Sequence, residues 1–256
     1  MSLSLVSINI EGSKHLDTVE AFLRERNPDV VCIQELCEHD IPRFEAIMGA
    51  PLYFARMVNL RPGSPLSLRE ESAPLGIGVC ARTPILRQVT HTYHAPEGEL
   101  GEFNESDDDV HLKRRTQNLA LVVSDIEKDG VLYRVGTTHF TWTPKGGADE
   151  YQRTDVRALL SITEAEAPLI LCGDFNAPRG GEIFSVLLEN FKDNIPSHFN
   201  TSIDVTLHRS GKARPRDFDD KMVDGLFTSP EYAAKYVDLV FGVSDHAAIV
   251  ATLDTV

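Results

Sequence analysis

Short apolar runs recur along the chain, separated by Gly, Pro, Asn and Asp, and this rhythm predicts an alternation of strands and helices. The runs Leu3–Ile10, Val30–Ile33, Ile77–Ala81, Leu119–Ser124, Leu132–His139, Leu169–Cys172, Met222–Thr228 and Ala247–Leu253 predict strands. Two of them, Val30–Ile33 and Leu169–Cys172, are continuously apolar, the pattern of a strand covered on both faces. Helical spacing lies between: Leu16, Val19, Phe22 and Leu23 share a face that Asn27-Pro28 terminates, and Val156, Leu159 and Leu160, then Ile183, Phe184, Leu187 and Leu188, repeat it. Hairpin-like neighbours such as 119–124 and 132–139 add antiparallel pairing, so the expected class is α/β, a sandwich of mixed sheet covered by helices. Two long stretches predict irregular structure, Glu97–Arg115 and His198–Lys221.

The ends of the predicted strands are polar in a repeated way. SLVSINIEG closes on Asn9 and Glu11, VVCIQEL on Gln34-Glu35, and YRVGTTHFTW delivers His139. LILCGDFN delivers Asp174 and Asn176, KMVDGLFTS carries Asp224, and GVSDHAAIVATL places Asp245-His246 just before a strand. Singly, each has an ordinary explanation: an exposed cap for Glu35, a hydrogen-bonded histidine for His139, an Asx-turn for Asp174. Loops at the ends of rigid strands are also where binding groups collect, and the order N-x-E, Q-E, T-H, G-D-x-N, D, S-D-H is what lifts the set above its members.

These motifs, spanning residues 7 to 246, resemble the endonuclease/exonuclease/phosphatase superfamily, which includes pancreatic deoxyribonuclease, apurinic endonucleases, deadenylases and inositol polyphosphate 5-phosphatases. The resemblance implies a four-layer α/β sandwich, two packed mixed β-sheets flanked by helices, with the site at one sheet edge. It implies Glu35 as the main metal ligand, with Asn9, Glu11 and Asp245 contacting the metal directly or through water. Asp174 and Asn176 match the pair that holds and activates the attacking water. His246 matches a phosphate-contacting histidine oriented by Asp224, and His139 the histidine of the deoxyribonuclease and phosphatase branches. Two departures are visible: Ile8 stands where relatives often have Trp before Asn9, and Met222 where many have Arg before Asp224.

The chemistry is consistent with those implied roles. A phosphoester is anionic, so a site lined by Glu11, Glu35, Asp174, Asp224 and Asp245 would repel it without an intervening cation. Hard oxygen donors without thiolates select Mg²⁺, with Mn²⁺ as a substitute. Asp174 is the expected proton acceptor for water, although a His246–Asp224 pair could serve instead, and His139 is free to meet phosphate or leaving oxygen.

Composition narrows the rest. With 42% hydrophobic and 25% charged residues, and no linker, repeat or composition break, one catalytic domain over residues 1–256 is expected. The net charge of -14 disfavours broad nucleic-acid binding but leaves room for a local basic groove, for which Lys113, Arg114, Arg115, Arg209, Lys212, Arg214 and Arg216 are candidates. Charge runs are usually solvated surface, and these residues read first as charged loops. Trp142 could stack on a base or anchor its loop. Cys32 and Cys172 sit in apolar runs as small hydrophobes, no CxxC pair occurs, and neither a signal peptide nor a membrane span is evident. The expectation is a monomeric cytoplasmic hydrolase, not membrane-associated: a Mg²⁺-dependent phosphodiesterase or phosphatase on a modest-sized phosphoester. The alternative is a DNA-processing nuclease of apurinic or tyrosyl-DNA phosphodiesterase type, and a non-enzymatic binding domain ranks last because every matched position keeps a competent residue.

Overall fold

A computed structural model describes residues 2–103 and 110–256, the side chains of Phe103, Val110, Lys113 and Lys145 excepted. In chain order the elements are β1 (Leu3–Asn9), α1 (Leu16–Arg26), β2 (Val30–Cys37), α2 (Ile41–Met48), β3 (Leu52–Leu60), β4 (Ala73–Ala81), β5 (Ile85–His94) and β6 (Glu102–Phe103). There follow α3 (Val110–Thr116), β7 (Leu119–Lys128), β8 (Val131–His139), α4 (Glu150–Glu166), β9 (Ile170–Asp174), α5 (Glu182–Leu188), β10 (Lys192–Asp193), β11 (Asp224–Thr228), β12 (Tyr232–Val240) and β13 (Ala248–Thr255).

Among the described residues the strands make two sheets. One has seven strands in the order β12-β13-β1-β2-β4-β3-β6, the other six in the order β10-β11-β9-β8-β7-β5. Both are mixed: β1 runs parallel to β2 and β8 parallel to β9, while β13 and β11 return antiparallel beside β1 and β9.

Alternation along the strands distributes the apolar residues into three layers of core. Leu3, Leu5, Val30 and Cys32 face Val122, Val135, Ile170, Cys172 and Leu226 between the sheets. Their neighbours Val6, Ile8, Val31 and Ile33 point outward to Leu16, Val19, Phe22 and Leu23 of α1 and Phe44 and Ile47 of α2. On the far side, Leu121, Val123, Leu169 and Leu171 meet Val156 and Leu159 of α4 and Ile183, Phe184 and Leu187 of α5. A stretch such as Val30–Ile33 is therefore continuously apolar because both its faces are covered. Each such side chain contributes roughly 1.5–3 kcal/mol by leaving water. The result is the expected α/β sandwich of four layers. All four cysteines are free and buried, and no helix among the described residues is long and apolar enough to cross a membrane.

The apolar periodicity does not mark α2, β3, β5 or β12. β5 and β12 lie at sheet edges, and their half-buried patterns interleave Arg, Gln, Thr, Lys and Asp with the packing residues. Such strands owe their state to a partner rather than to a run of their own. The stretch Glu97–Arg115 is also less irregular than predicted, since α3 begins at Val110 with the good helix formers Leu, Lys and Arg. Its acidic portion at 104–109 and the Lys113 side chain lie outside the described residues.

The C-terminal end of α4 is tied to the six-stranded sheet by charge. Glu166 accepts from both Arg87 amino groups at 2.7 and 2.6 Å and from His91 at 2.7 Å, while Arg134 donates to the Glu166 carbonyl at 2.9 Å. The Arg87 hydrogen bonds outweigh burial and, helped by His91, hold the Glu166 carboxyl at about 2, below its ordinary 4.5. A lowered folded-state pKa stabilises above the ordinary value, and that contribution is lost as pH falls from 4.5 through about 2. Thermal unfolding between pH 2 and 7 should therefore show a smaller acid-side loss of stability in Glu166→Gln than in the wild type. Equal slopes would remove this carboxylate as a source of acid sensitivity.

Candidate active site

Strand register gathers the polar strand ends at one edge of the sandwich. Asn9 pairs with Gln34 across parallel β1 and β2, and His139 with Asp174 across parallel β8 and β9. The antiparallel strands start where those end, so Asp224 opens β11 directly opposite Asp174, and Asp245-His246 precedes β13 beside the end of β1. Six sites separated widely in sequence thus meet because two parallel pairs each have an antiparallel neighbour.

Local backbone features turn the side chains into the edge. β2 carries a bulge against β4 between Ile33 and Leu36, and Glu35 within it has φ 55°. Glu11 and Asn176 also have left-handed φ values, 51° and 50°. A non-glycine residue held there costs on the order of 1 kcal/mol or more, and such strain collects at functional sites. Gly12 and Gly173 make the close approaches: a Cβ on Gly12 would lie 2.2 Å from the Leu66 carbonyl oxygen, and one on Gly173 2.0 Å from that of Thr138.

Asn9 is the connector. Its Nδ2 donates to Glu35 Oε1 at 3.2 Å and to Asp174 Oδ2 at 3.1 Å, and its Oδ1 accepts from the Glu11 N–H at 3.1 Å. Beneath it, Gln34 Nε2 donates to Thr137 Oγ1 at 3.0 Å, so two adjacent amides join the sheets. Asp174, 2% exposed, also accepts from the Asn176 N–H at 2.8 Å. The Asn176 carboxamide nitrogen is engaged with the Phe140 carbonyl at 3.0 Å.

Around Asp174 Oδ2 stand His139 Nε2 at 3.6 Å and His246 Nε2 at 3.9 Å. His246 donates from Nδ1 to Asp224 Oδ2 at 2.7 Å, and Ser202 Oγ accepts the Asp224 N–H at 3.1 Å. Burial opposes the imidazolium, yet Asp224, Asp174 and Asp245 together raise His246 well above the ordinary histidine value. Asp224 is itself raised, chiefly by burial.

On the other flank, Glu11 lies 2.7 Å from Lys14 Nζ and 2.9 Å from His15 Nε2. Burial works against its charge, but the bonds from His15 and Lys14 prevail and lower its pKa. Asp245 is pushed up to about 7 by burial, with Glu11 and Glu35 adding repulsion. Ligand atoms of Glu11, His15 and Asp245 lie within 4.8 Å of one another, and so do those of Asp174, Asp224 and His246. Hard oxygen donors with one or two imidazoles, and a carboxylate destabilised by its own neighbours, suit a divalent cation.

The catalytic candidates from the sequence all fall here: Glu11, Glu35, His139, Asp174, Asn176, Asp245 and His246 line one cavity of about 1120 Å³, with Asn9 and Asp224 bonded to its lining residues. Trp142, Arg209, Arg214 and Lys221 line it as well, whereas Lys212 and Arg216 do not. Arg114 turns away to Asp155, with its guanidinium 5.0 Å over the Tyr151 ring. Lys14, His15 and His208 belong to the site without having been singled out in the sequence; the spacing of His15 from Glu11, one turn of chain, was the available signal.

A family model described as Endonuclease/Exonuclease/phosphatase family matches residues 6–246. An endonuclease/exonuclease/phosphatase from Beutenbergia cavernae superposes with a TM-score of 0.73 at 16% identity, covering 99% of this chain and 72% of its own. D. rerio TDP2, solved with a single-strand DNA product, gives 0.67 at 17% identity over 99% of both chains. ANGEL2, described as a 2',3'-cyclic phosphatase, gives 0.67 at 15% identity, covering 99% of this chain and 95% of its own. Identities this low show a shared fold alone. Among curated proteins no sequence matches.

Gly173→Ala tests how strictly β9 must approach β8 to deliver Asp174. Its φ of 139° and the 2.0 Å contact predict a loss of roughly 3 kcal/mol, a fall of roughly 6–12 °C in Tm. An unchanged Tm would mean that the approach is soft.

Proposed function

The chain belongs to the endonuclease/exonuclease/phosphatase family, hydrolases of phosphoester bonds, and from that premise we propose that it is a Mg²⁺-dependent phosphoesterase, phosphodiesterase or phosphatase, acting on a modest-sized substrate by in-line attack of water. The observation that carries this reading is the pairing around Asp174: a carboxylate 2% exposed, with His139 and the Asp224-backed His246 within 3.9 Å of one oxygen. We propose further that residues 1–256 act as one catalytic domain, monomeric and cytoplasmic, which suits four buried free thiols.

Glu35, Glu11, Asp245 and Asn9 would hold the cation, Mg²⁺ or Mn²⁺, directly or through water, with Asn9 also fixing the Glu35 carboxylate and His15 at hand. When bound, it supplies Lewis-acid neutralisation of phosphoryl charge. The remaining work falls to the chain. Asp174 takes a proton from the attacking water; hydrogen bonds from Asn9 and Asn176 hold its oxygens in place for that task. Asn176 has its Nδ2 committed to Phe140, so its Oδ1 is the atom left to orient the water. His246, kept cationic by Asp224, donates from Nε2 to a non-bridging oxygen, much as a buried carboxylate aligns imidazole in a triad. His139 stands 3.6 Å from Asp174 and 3.9 Å from Glu35, where it can meet the phosphate or protonate the leaving oxygen.

A DNA-processing nuclease of apurinic or tyrosyl-adduct type is the second reading. Trp142 beside Arg209, Arg214 and Lys221 in one cavity favours it. Against it, Arg114 is spent on Asp155 rather than on a second wall of a groove.

A hydrolysis panel with Mg²⁺ or chelator, comparing a chromogenic diester, a monoester, abasic duplex, single-stranded DNA and a phosphotyrosyl oligonucleotide, separates the two. Cleavage of the small esters supports the first, and cleavage of only the abasic duplex or the adduct supports the second. Asp174→Asn should lower kcat by about 10³-fold or more with the protein still folded, since it removes proton acceptance at the cost of one of the two hydrogen bonds accepted from Asn9 and Asn176. Near wild-type turnover would shift the base assignment to the His246–Asp224 pair. Glu35→Gln should move the Mg²⁺ activation midpoint upward; a superimposable titration would strike Glu35 from the ligands.

A further inference from the structure

We propose that His208, Arg209, Arg214 and Lys221 form a second anion subsite in the catalytic cavity, so that the preferred substrate carries a further phosphate beside the one attacked. This rests on the phosphoesterase reading above and names the substrate class within it. A cavity of about 1120 Å³ has room for a nucleotide-sized ligand, far more than one phosphoryl group fills. Charge is unevenly spread over its wall: Glu11, Glu35, Asp174 and Asp245 lie at the strand ends, whereas His208, Arg209, Arg214 and Lys221 come from one segment, whose one carboxylate on the wall is Asp217.

That segment is built into the catalytic edge rather than draped over it. Ile203 bridges to His246, and the Ala247 N–H donates to the Ser202 carbonyl at 2.7 Å. The Asp204 N–H donates to the Asp245 carbonyl at 2.8 Å, and the Asp204 carboxylate, accepting from the Gly242 N–H at 2.7 Å, clamps the turn before Asp245. The His208 N–H returns to the Asp204 carbonyl at 2.8 Å. Two residues with catalytic assignments and the start of the basic segment therefore share one rigid frame.

The donors match phosphate. The Ser210 N–H donates to His208 Nδ1 at 3.2 Å, which leaves the ring hydrogen on Nε2, and the ring packs 4.5 Å from that of Phe218. Burial, with His246 and Arg209 adding to it, keeps His208 a neutral donor at about 4. Arg214 is 3.8 Å from Asp217, with 67% and 60% of the two side chains exposed. So loose and solvated a pair is worth little, and a phosphate offering two oxygens to the guanidinium can displace it. A chain of net charge -14 repels a polyanion at a distance, so discrimination for a second phosphate has to come from contacts of this kind.

The test compares the p-nitrophenyl ester of thymidine 5'-phosphate with its 3'-phosphorylated counterpart, reading the ratio of kcat/KM, which cancels changes in the chemistry common to both. In parallel, titration calorimetry measures binding of thymidine 5'-phosphate and thymidine 3',5'-bisphosphate. The wild type should favour the doubly phosphorylated member of each pair by about tenfold or more. The Arg209→Gln/Arg214→Gln variant should bring both ratios near unity, and Lys212→Gln, outside the cavity, should leave them unchanged; thermal unfolding confirms that each variant is folded. No wild-type preference, or a preference that survives the double variant, overturns the subsite. Absence of hydrolysis with Mg²⁺ and Mn²⁺, alongside a bisphosphate binding advantage lost in the double variant, overturns the phosphoesterase reading and leaves the subsite standing.

Discussion

Side-chain hydrogen bonds hold the two halves of the site in register, and the Asn9 carboxamide makes two of them. Asn9 ends a strand of the seven-stranded sheet, and its Nδ2 reaches both Glu35 of that sheet and Asp174 of the other. Sheets that meet only through apolar side chains can slide by fractions of an ångström at little cost, because hydrophobic burial is not directional. Hydrogen bonds are directional, and the Asn9 and Gln34 amides place them at the end of the interface where the site needs its spacing kept. Catalysis by positioned groups is sensitive to displacements of that size, so this contact precedes every role assigned to the residues around it.

The second constraint is electrostatic. Burial and like charge would force protons onto these carboxylates, and Asp245 at about 7 shows the pressure. The protein divides the load. Asp224 is matched to His246, Glu11 to Lys14 and His15, and Asp174 is satisfied by amides. Glu35 and Asp245 make no ion pair shorter than 3.9 Å among the described residues: His139 stands 3.9 Å from Glu35, and the His246 charge only tempers Asp245. The arrangement leaves negative charge where a divalent cation would complete it. Backbone strain at Glu11, Glu35 and Asn176 belongs to the same design, since turning carboxylates and an amide into one small volume requires φ values that ordinary strands do not use.

The basic segment after α5 answers a different need. Acidic strand ends can attract a cation but cannot select what the phosphate is attached to, and in this chain the guanidinium groups near them come from a loop of little regular structure. Its attachment through Ile203 and Asp204 keeps it in line with His246. Under the proposed function, strand ends would carry the chemistry, and the segment fixed to them through Ile203 and Asp204 would carry recognition.

Much of the site was legible in the sequence for a simple reason: strands buried on both faces are written as continuous apolar runs, so a polar residue at their ends stands out. That is why Glu35, His139, Asp174 and Asn176 stood out as candidates, their expected roles coming from the resemblance of their order to a known family, and why the central strands could be placed. Edge strands such as β5 and β12 carry no such signal, because half their side chains face water and their pairing is decided by a neighbour. Nor could the chain declare that Arg114 would face Asp155 while Arg209 and Arg214 reached the cavity, since both basic runs have the same local character. His208 was hidden likewise, a lone polar residue until the fold supplied Phe218 as neighbour. Sequence by itself determined which residues end strands and what chemistry they can do. Only the tertiary structure decided which of them meet, because the parallel and antiparallel order of the strands, a property of no single segment, sets the edge on which each end falls.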